Sequence, residues 1–266
     1  MITEAILVLV TAGAGGIAYG RYRRAQLYRS LEARIGAIAA APPVDFRPIL
    51  QRTAPAFDQR LARIDGIFSS ETLELLRKQA LKLAGPERSY VPAHKKGGTV
   101  AYESLFDAGP AIIALYHSRE IMGLISRIVG ETVRPTPIND QSSLSVLFYE
   151  KPGDHIGWHY DHNFYRGRHF TVLLPVINLG SAAGGLSHAT LKAKIEGQET
   201  DIATPPNTLI VFEGAKVHHK VTPILEGERR LVISMTYCTD PRANAVQGAV
   251  RRIKDVAFFG PRALWT

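Results

Sequence analysis

The sequence predicts an α+β protein, mainly β in its second half, with flanking helices and one apolar helix at its head. Three observations carry this. Runs of β-branched and aromatic residues, bounded by turn formers, recur through the second half. In the first half apolar residues recur at helical spacing instead. Residues Ala5 to Gly20 contain no charge at all. The chain has 266 residues, 45% of them hydrophobic, enough for one sizeable core with helical decoration. The single cysteine, Cys238, excludes an intramolecular disulfide and gives no basis for a thiolate metal cluster. That usage fits a reducing compartment.

The first segment, residues 1–24, reads as a membrane anchor and its basic flank. As a helix, Ala5 to Gly20 spans about 24 Å at ~1.5 Å per residue. Ile2, Thr3 and Tyr22 extend it toward the thickness of a bilayer core. Arg21, Arg23 and Arg24 follow the apolar run, whereas a cleaved signal peptide carries its charge before it. The arginines should stay cytoplasmic, which leaves the remainder of the chain on that side. The other readings are a helix packed on the domain or one lying in the interface. The basic stretch continues through Arg29 and Arg34, and the whole chain carries a formal +8. Anionic headgroups or an anionic substrate would match it. No basic-aromatic recognition module marks a nucleic-acid partner, and none is expected.

Residues 25–135 read as a helical region. Leu27 to Ala40 continues as a helix, and Ala41-Pro42-Pro43 ends it. Ser69-Ser70 offers an N-cap before Glu71 to Leu83, whose Leu73, Leu76, Ala80 and Leu83 share a face. Pro110 to Val129 gives a further apolar pattern, interrupted near Ser118 and ended by Gly130. Lys95-Lys96-Gly97-Gly98 reads as an exposed loop, with a lid over a site as the sharper reading. Residues 136–240 carry the strands, and 241–266 a C-terminal helix and tail.

In the strand region, Ser145 to Tyr149 is β-branched and aromatic, and Glu150-Lys151-Pro152-Gly153 breaks it. His159-Tyr160-Asp161 follows. In an extended segment residues i and i+2 point to one face, so His159 and Asp161 can grip one metal while Tyr160 points away. Thr208 to Phe212 reads as another strand, and a turn at Glu213-Gly214-Ala215-Lys216 leads to Val217-His218-His219-Lys220-Val221. Alternation puts His219 on the face of Val217 and Val221, and His218 on the other; a register slip by one would exchange them. Two imidazoles and one carboxylate on one face of a metal form the ligand set of non-haem Fe(II) oxygenases, with positions left open. Arg229-Arg230 opens a further apolar strand, Leu231 to Cys238. One guanidinium carried inside would need an anionic partner, and a dicarboxylate can supply it through a bidentate pair.

The segment from Tyr149 to Thr236 resembles the Fe(II)/2-oxoglutarate-dependent dioxygenases, in the prolyl-4-hydroxylase-like branch. The shared pattern reads Tyr149…Gly153…His159-Tyr160-Asp161, then Gly184-Gly185, then His219-Lys220-Val221-Thr222-Pro223 with Gly227-Glu228-Arg229. The family often has Gly-Gly-Glu-Thr where this chain has Gly184-Gly185-Leu186-Ser187, a departure that touches no metal ligand. The resemblance selects His219 over His218 and Arg229 over Arg230 by spacing. It implies a double-stranded β-helix, a jelly-roll barrel like that of cupins. It implies Fe(II) held by His159, Asp161 and His219, with 2-oxoglutarate chelated to the metal and its far carboxylate on Arg229 beside Tyr149. It implies that O2 oxidatively decarboxylates 2-oxoglutarate to succinate and CO2, coupled to hydroxylation of a substrate C–H. In related halogenases a small residue replaces the carboxylate so that chloride can bind iron; Asp161 therefore makes hydroxylation the default.

Three function classes follow. The leading one is a membrane-anchored hydroxylase of a lipid or small molecule, with an anionic substrate as one option. The second is the same chemistry on a protein side chain such as a prolyl residue. The third is a non-catalytic barrel that binds a ligand, against which the intact ligand set argues. His155, His162 and His169 read as solvated loop histidines, with contact to a substrate as the sharper reading; Trp158 reads as packing rather than a substrate platform, and Arg166 and Arg168 as candidates for an anionic substrate.

Overall fold

We describe the chain from a computed structural model that covers the backbone of residues 2–83, 85–88 and 94–259; the side chains of 2–18, 21, 245 and 257–259 are outside the description. Helix α1 runs as one piece over Ile2–Ala40. Then come β1 (Leu61–Ile64), α2 (Ser70–Lys82), β2 (Glu87–Arg88), β3 (Lys95–Lys96), β4 (Gly98–Val100), α3 (Leu105–Ala108), α4 (Pro110–His117), α5 (Arg119–Val129) and β5 (Arg134–Pro135). The second half holds β6 (Leu144–Tyr149), β7 (His155–His159), β8 (His169–Leu179), β9 (Leu191–Ile195), β10 (Gln198–Ile202), β11 (Leu209–Phe212), β12 (His218–Val221), β13 (Arg229–Cys238) and α6 (Ala245–Phe259).

The helix ends follow local chemistry. The Ser69 hydroxyl accepts the Thr72 N–H at 3.2 Å and starts α2. Ser118 breaks the predicted long helix in two and caps α5, its hydroxyl accepting from Ile121 N–H at 3.2 Å. Gly130, with φ 76°, ends α5 in the left-handed conformation that glycine adopts without a Cβ clash.

Among the described residues the strands form two antiparallel sheets. The larger has the order β1-β11-β8-β13-β6-β4-β2, with β5 also on β13; the smaller has β10-β9-β12-β7-β3. This is the mainly β core with flanking helices that the sequence predicted, consistent with a jelly roll. The region 25–135 is not purely helical, however: β1 and β4 extend the large sheet and β3 the small one. These strands are two to four residues long, too short to show a period.

Alternation along β13 divides the interior. Leu231, Ile233, Met235 and Tyr237 face the helices and share a core with Leu76, Ile112, Leu115 and Leu124. Arg230, Val232, Ser234 and Thr236 face the other way and line a cavity between the sheets. Burying each large aliphatic side chain is worth about 1.5–3 kcal/mol, so this helix-covered face is the main stabiliser of the scaffold.

The second half of α1 docks on that core through Leu27, Tyr28, Leu31, Ile35 and Ile38, and Arg34 pairs with Asp107 at 2.7 Å. Among the described residues no helix is long and apolar enough to cross a membrane. Most of the expected anchor, residues 5–18, lies outside the described side chains.

Candidate metal centre and co-substrate pocket

His159 ends β7, and the smaller sheet places His219 of β12 directly opposite it. Asp161 follows two residues after His159, on the same side. One donor atom from each of the three lies within 4.8 Å of the others. Asp161 Oδ1 is 3.5 Å from His159 Nε2 and 3.8 Å from His219 Nε2. Each imidazole is oriented by its other nitrogen. His159 Nδ1 donates to Gly157 O at 2.8 Å, and His219 Nδ1 to Val217 O at 2.9 Å. A carbonyl can only accept, so both Nε2 lone pairs face the centre, as a metal requires.

Asp161 is held from three sides. Its N–H donates to Gly214 O at 3.0 Å, and the Thr171 hydroxyl donates to its Oδ2. A Cβ on Gly214 would sit 2.2 Å from that Oδ2, so the turn after β11 needs glycine for close approach. Burial alone would raise the Asp161 pKa, but His219, His159 and Thr171 outweigh it and hold the carboxyl well below the ordinary range. Burial also disfavours a charged His159, yet the adjacent Asp161 carboxylate raises its pKa. His219 is lowered by burial despite the same carboxylate.

The register question between the two histidines is resolved by alternation. His219 is 6% exposed and faces the cavity. His218 lies on the outer face, stacked at 4.7 Å on Tyr160 and 5.0 Å from Trp158. Trp158 is indeed packing: Lys220 and Lys194 lie over its ring.

The choice of Arg229 requires a correction. Its side chain is 44% exposed and pairs with Glu150, Nη2 to Oε1 at 2.6 Å. Arg230 is the guanidinium inside, 1% exposed and lining the cavity. The spacing from His219 runs through an irregular turn, where alternation does not hold; on β13 itself, Arg230 shares the face of Ser234 and Thr236. Arg230 lies opposite Tyr149 in the ladder. Its Nε and Nη2, and the Tyr149 hydroxyl, are buried without a hydrogen-bond partner. Burial lowers the Arg230 pKa and pushes Tyr149 up to about 12. A buried cation beside an unsatisfied hydroxyl is costly unless an anion joins them.

The cavity measures about 460 Å³. Leu147, Ile156, Leu173, Leu191, Val221 and Val232 form its apolar walls between the triad and Arg230. Another part is polar: Lys95, Asp140, His169 and Lys254 line it, and of these Asp140 and Lys254 were not foreseen. His169 is a buried β8 residue rather than a solvated loop histidine. His155 donates to Gly153 O at 2.7 Å, while His162 is exposed and stacks on Phe164. Arg168 is used by Glu131 and Glu213, and Arg166 is exposed, so neither serves the cavity. Lys95-Lys96 is a strand rather than an exposed loop.

The profile of the family described as Halogenase D (HalD) matches residues 57–249, which include the triad, Tyr149 and Arg230. The chain belongs to this family. Solved structures of Fe(II)/2-oxoglutarate oxygenases share its fold, as the motif resemblance implied. A Pseudomonas putida prolyl-4-hydroxylase aligns with TM-score 0.50 and 17% identity, over 70% of this chain and 95% of the other. A Trichoplax adhaerens prolyl hydroxylase, solved with a hypoxia inducible factor peptide fragment, aligns with TM-score 0.54 and 16% identity, over 73% and 87%. The epimerase SnoN from nogalamycin biosynthesis, solved with Fe3+, alpha ketoglutarate and nogalamycin RO, aligns with TM-score 0.56 and 13% identity, over 78% and 84%. None of the curated proteins compared matches the sequence. In this member of the HalD family the metal motif carries a carboxylate, Asp161.

Proposed function

We propose that the protein is an Fe(II)- and 2-oxoglutarate-dependent hydroxylase of a small molecule. The observation that carries this is the juxtaposition of the His159–Asp161–His219 triad with the buried, unsatisfied Arg230–Tyr149 pair in one cavity. The donor set suits Fe(II), with two neutral imidazoles and one carboxylate leaving open positions. Bound Fe(II), 2-oxoglutarate and O2 supply oxidative decarboxylation to succinate and CO2, coupled to C–H hydroxylation. Arg230 binds the far carboxylate of 2-oxoglutarate, and the Tyr149 hydroxyl donates to it. The apolar walls exclude water from the chain between. Gly157 O and Val217 O keep the ligand imidazoles in one tautomer, and Thr171 fixes the carboxylate.

The family's description favours halogenation as a second reading. Asp161 argues against it, because its carboxylate takes the position that chloride would need. The uncharged run and the basic stretch at the head of the chain favour a lipid or small molecule near a membrane over a protein side chain, the alternative substrate. We also propose that residues 5–20 anchor the protein in a membrane with the domain on the cytoplasmic side, supported by the uncharged run and the arginines after it. Alkaline extraction of membranes tests this: release of the full chain into the wash would reject the anchor.

The deciding experiment is anaerobic addition of Fe(II) and 2-oxoglutarate. A visible metal-to-ligand charge-transfer band is expected, lost in His219→Ala and weakened in Arg230→Ala. A folded wild type with no band, and no succinate on admitting air, would reject the hydroxylase and leave a ligand-binding barrel.

A further inference from the structure

Three of the described residues that line the cavity carry a buried polar side-chain atom with no hydrogen-bond partner: Arg230, Tyr149 and His169. The first two form the pair given to 2-oxoglutarate. His169 lies elsewhere. On β8 the residues His169, Thr171 and Leu173 alternate toward the cavity, and Thr171 and Leu173 lie opposite Thr236 and Ser234 of β13. The Thr171 hydroxyl donates to Asp161, so this step of the ladder marks the level of the metal ligands. Arg230 lies six residues before Thr236, about 20 Å along the strand. His169 lies two residues from Thr171 in the opposite direction, about 7 Å further. The order along the sheet is therefore Arg230, metal ligands, His169.

The imidazole is held in place while its Nδ1 stays unpaired. Tyr165 stacks on it at 6.1 Å between ring centroids. The Tyr165 hydroxyl donates to Asp140 Oδ2 at 2.7 Å, and Lys254 Nζ from α6 donates to Asp140 Oδ1 at 3.0 Å. Lys254 also pairs with Asp255 at 3.0 Å and donates to Ser142 Oγ at 2.9 Å. Asp140 and Lys254 thus have their partners within the protein, and the ring does not. Burial lowers the His169 pKa, so the imidazole is neutral. A neutral imidazole has one nitrogen that donates and one that accepts. Left unpaired inside the protein, such a nitrogen is costly unless a ligand meets it.

We infer that His169 anchors the substrate by a hydrogen bond to an uncharged hydroxyl group, on the side of the metal away from the far carboxylate of 2-oxoglutarate. This rests on the hydroxylase reading, because it takes Arg230 and Tyr149 to be committed to the co-substrate. A hydroxyl both donates and accepts, so it satisfies Nδ1 in either tautomer. A carboxylate can only accept and an ammonium can only donate. Either would also bring a charge beside an Asp140–Lys254 pair that is already matched. Phe164, Leu173 and Phe212 line the same cavity and suit an apolar stem. The substrate class is an alcohol on an apolar skeleton.

The test uses the full chain with Fe(II) and 2-oxoglutarate, without oxygen. Hexanol, 1-fluorohexane, hexanoate and hexylammonium are titrated by calorimetry while the charge-transfer band is recorded. Hexanol should bind about tenfold or more tighter than the other three, the scale of leaving a buried hydrogen-bonding group unmet. His169→Leu should abolish that preference with the band and 2-oxoglutarate affinity intact. His169→Asn, whose amide both donates and accepts, should keep most of it. Equal affinities for hexanol and 1-fluorohexane, tighter binding of either ion, a preference that survives His169→Leu, or hexanol displaced by raising 2-oxoglutarate would overturn the anchor. Where His169→Leu does not fold, the ranking in wild type and its retention in His169→Asn decide. If no band forms, the hydroxylase reading fails by itself. The titrations are then made without metal: a preference for hexanol lost in His169→Leu and kept in Arg230→Met upholds the anchor, and the reverse overturns it.

Discussion

Arg230 and Tyr149 face each other across the β6–β13 ladder, with the guanidinium carbon 5.2 Å from the ring centroid. Both side chains are 1% exposed, and each keeps unsatisfied polar atoms. The pair is thus costly for the fold by itself and complementary to a carboxylate.

That cost sets the first prediction. Arg230→Met should weaken 2-oxoglutarate binding about a hundredfold or more, the scale of truncating one partner of a buried hydrogen-bonded charge pair. The same variant should melt no lower than wild type without co-substrate, because it removes an uncompensated buried charge. Arg229→Ala removes a surface pair with Glu150 and should change the affinity less than about twofold. Titrations of the charge-transfer band and thermal melts check both. Equal losses in the two variants would reject the assignment to Arg230.

Gly214 makes the second prediction. No ligand changes in Gly214→Ala, yet the new methyl would overlap the Asp161 carboxylate. Metal affinity should fall about ten- to hundredfold, as for other groups that orient ligands. Thr171→Val, which deletes the hydroxyl donated to Asp161, should act in the same direction and less strongly. Equilibrium dialysis with Co(II) reads this; unchanged affinity in folded Gly214→Ala would show that Asp161 can move without loss.

These two sites show where the sequence was legible. His159 and His219 emerge from two-residue alternation because they end up opposite each other in the β7–β12 ladder, and Asp161 because it follows two residues after His159, just past the end of β7. The cap Ser69, the break near Ser118 and the end at Gly130 emerge because these signals are local. Arg230 was obscured by counting spacing from His219 across the turn 222–228, whose length strand geometry does not fix. The alternation of Ser234 and Thr236 against Leu231, Ile233 and Met235 carried the better signal. The strand that carries Lys95 was hidden because it has two residues beside glycines. Lys254 was hidden because a single lysine on a surface helix has no pattern that aims it inward. The partnership with Asp140 is purely tertiary.

Asp154 gives a pH prediction. The turn after β6 is closed by this fully buried carboxylate, which accepts Lys151 N–H at 3.0 Å, Glu150 N–H at 3.1 Å and Arg88 Nη2 at 2.6 Å. Burial opposes its charge, but Arg88 and the two amides win and lower its pKa. A carboxyl lowered on folding stabilises fully above its unfolded pKa of about 4, and that stabilisation is lost as pH falls through the folded value. Asp154→Asn should therefore cost about 1–3 kcal/mol at neutral pH, with the gap to wild type shrinking below about pH 4. Urea melts across that range measure it, and a gap independent of pH would mean that the carboxylate charge contributes nothing.

On the hydroxylase reading, Asp161 is the residue that sets oxygen against halogen chemistry in this chain. Its carboxylate lies between Thr171 and Gly214 and faces both ligand imidazoles, so no halide can take its place in wild type. Chloride should leave the Fe(II)/2-oxoglutarate charge-transfer band unchanged. In Asp161→Gly the carboxylate and its negative charge both leave, while the Thr171 hydroxyl remains as a donor to whatever anion enters. That variant should bind Fe(II) more weakly, lose hydroxylation, and show a band that shifts with added chloride and less with added sulfate, which is too large for the gap. A chloride-dependent band in wild type would mean that Asp161 does not hold the metal, and the halogenase reading would then replace the hydroxylase.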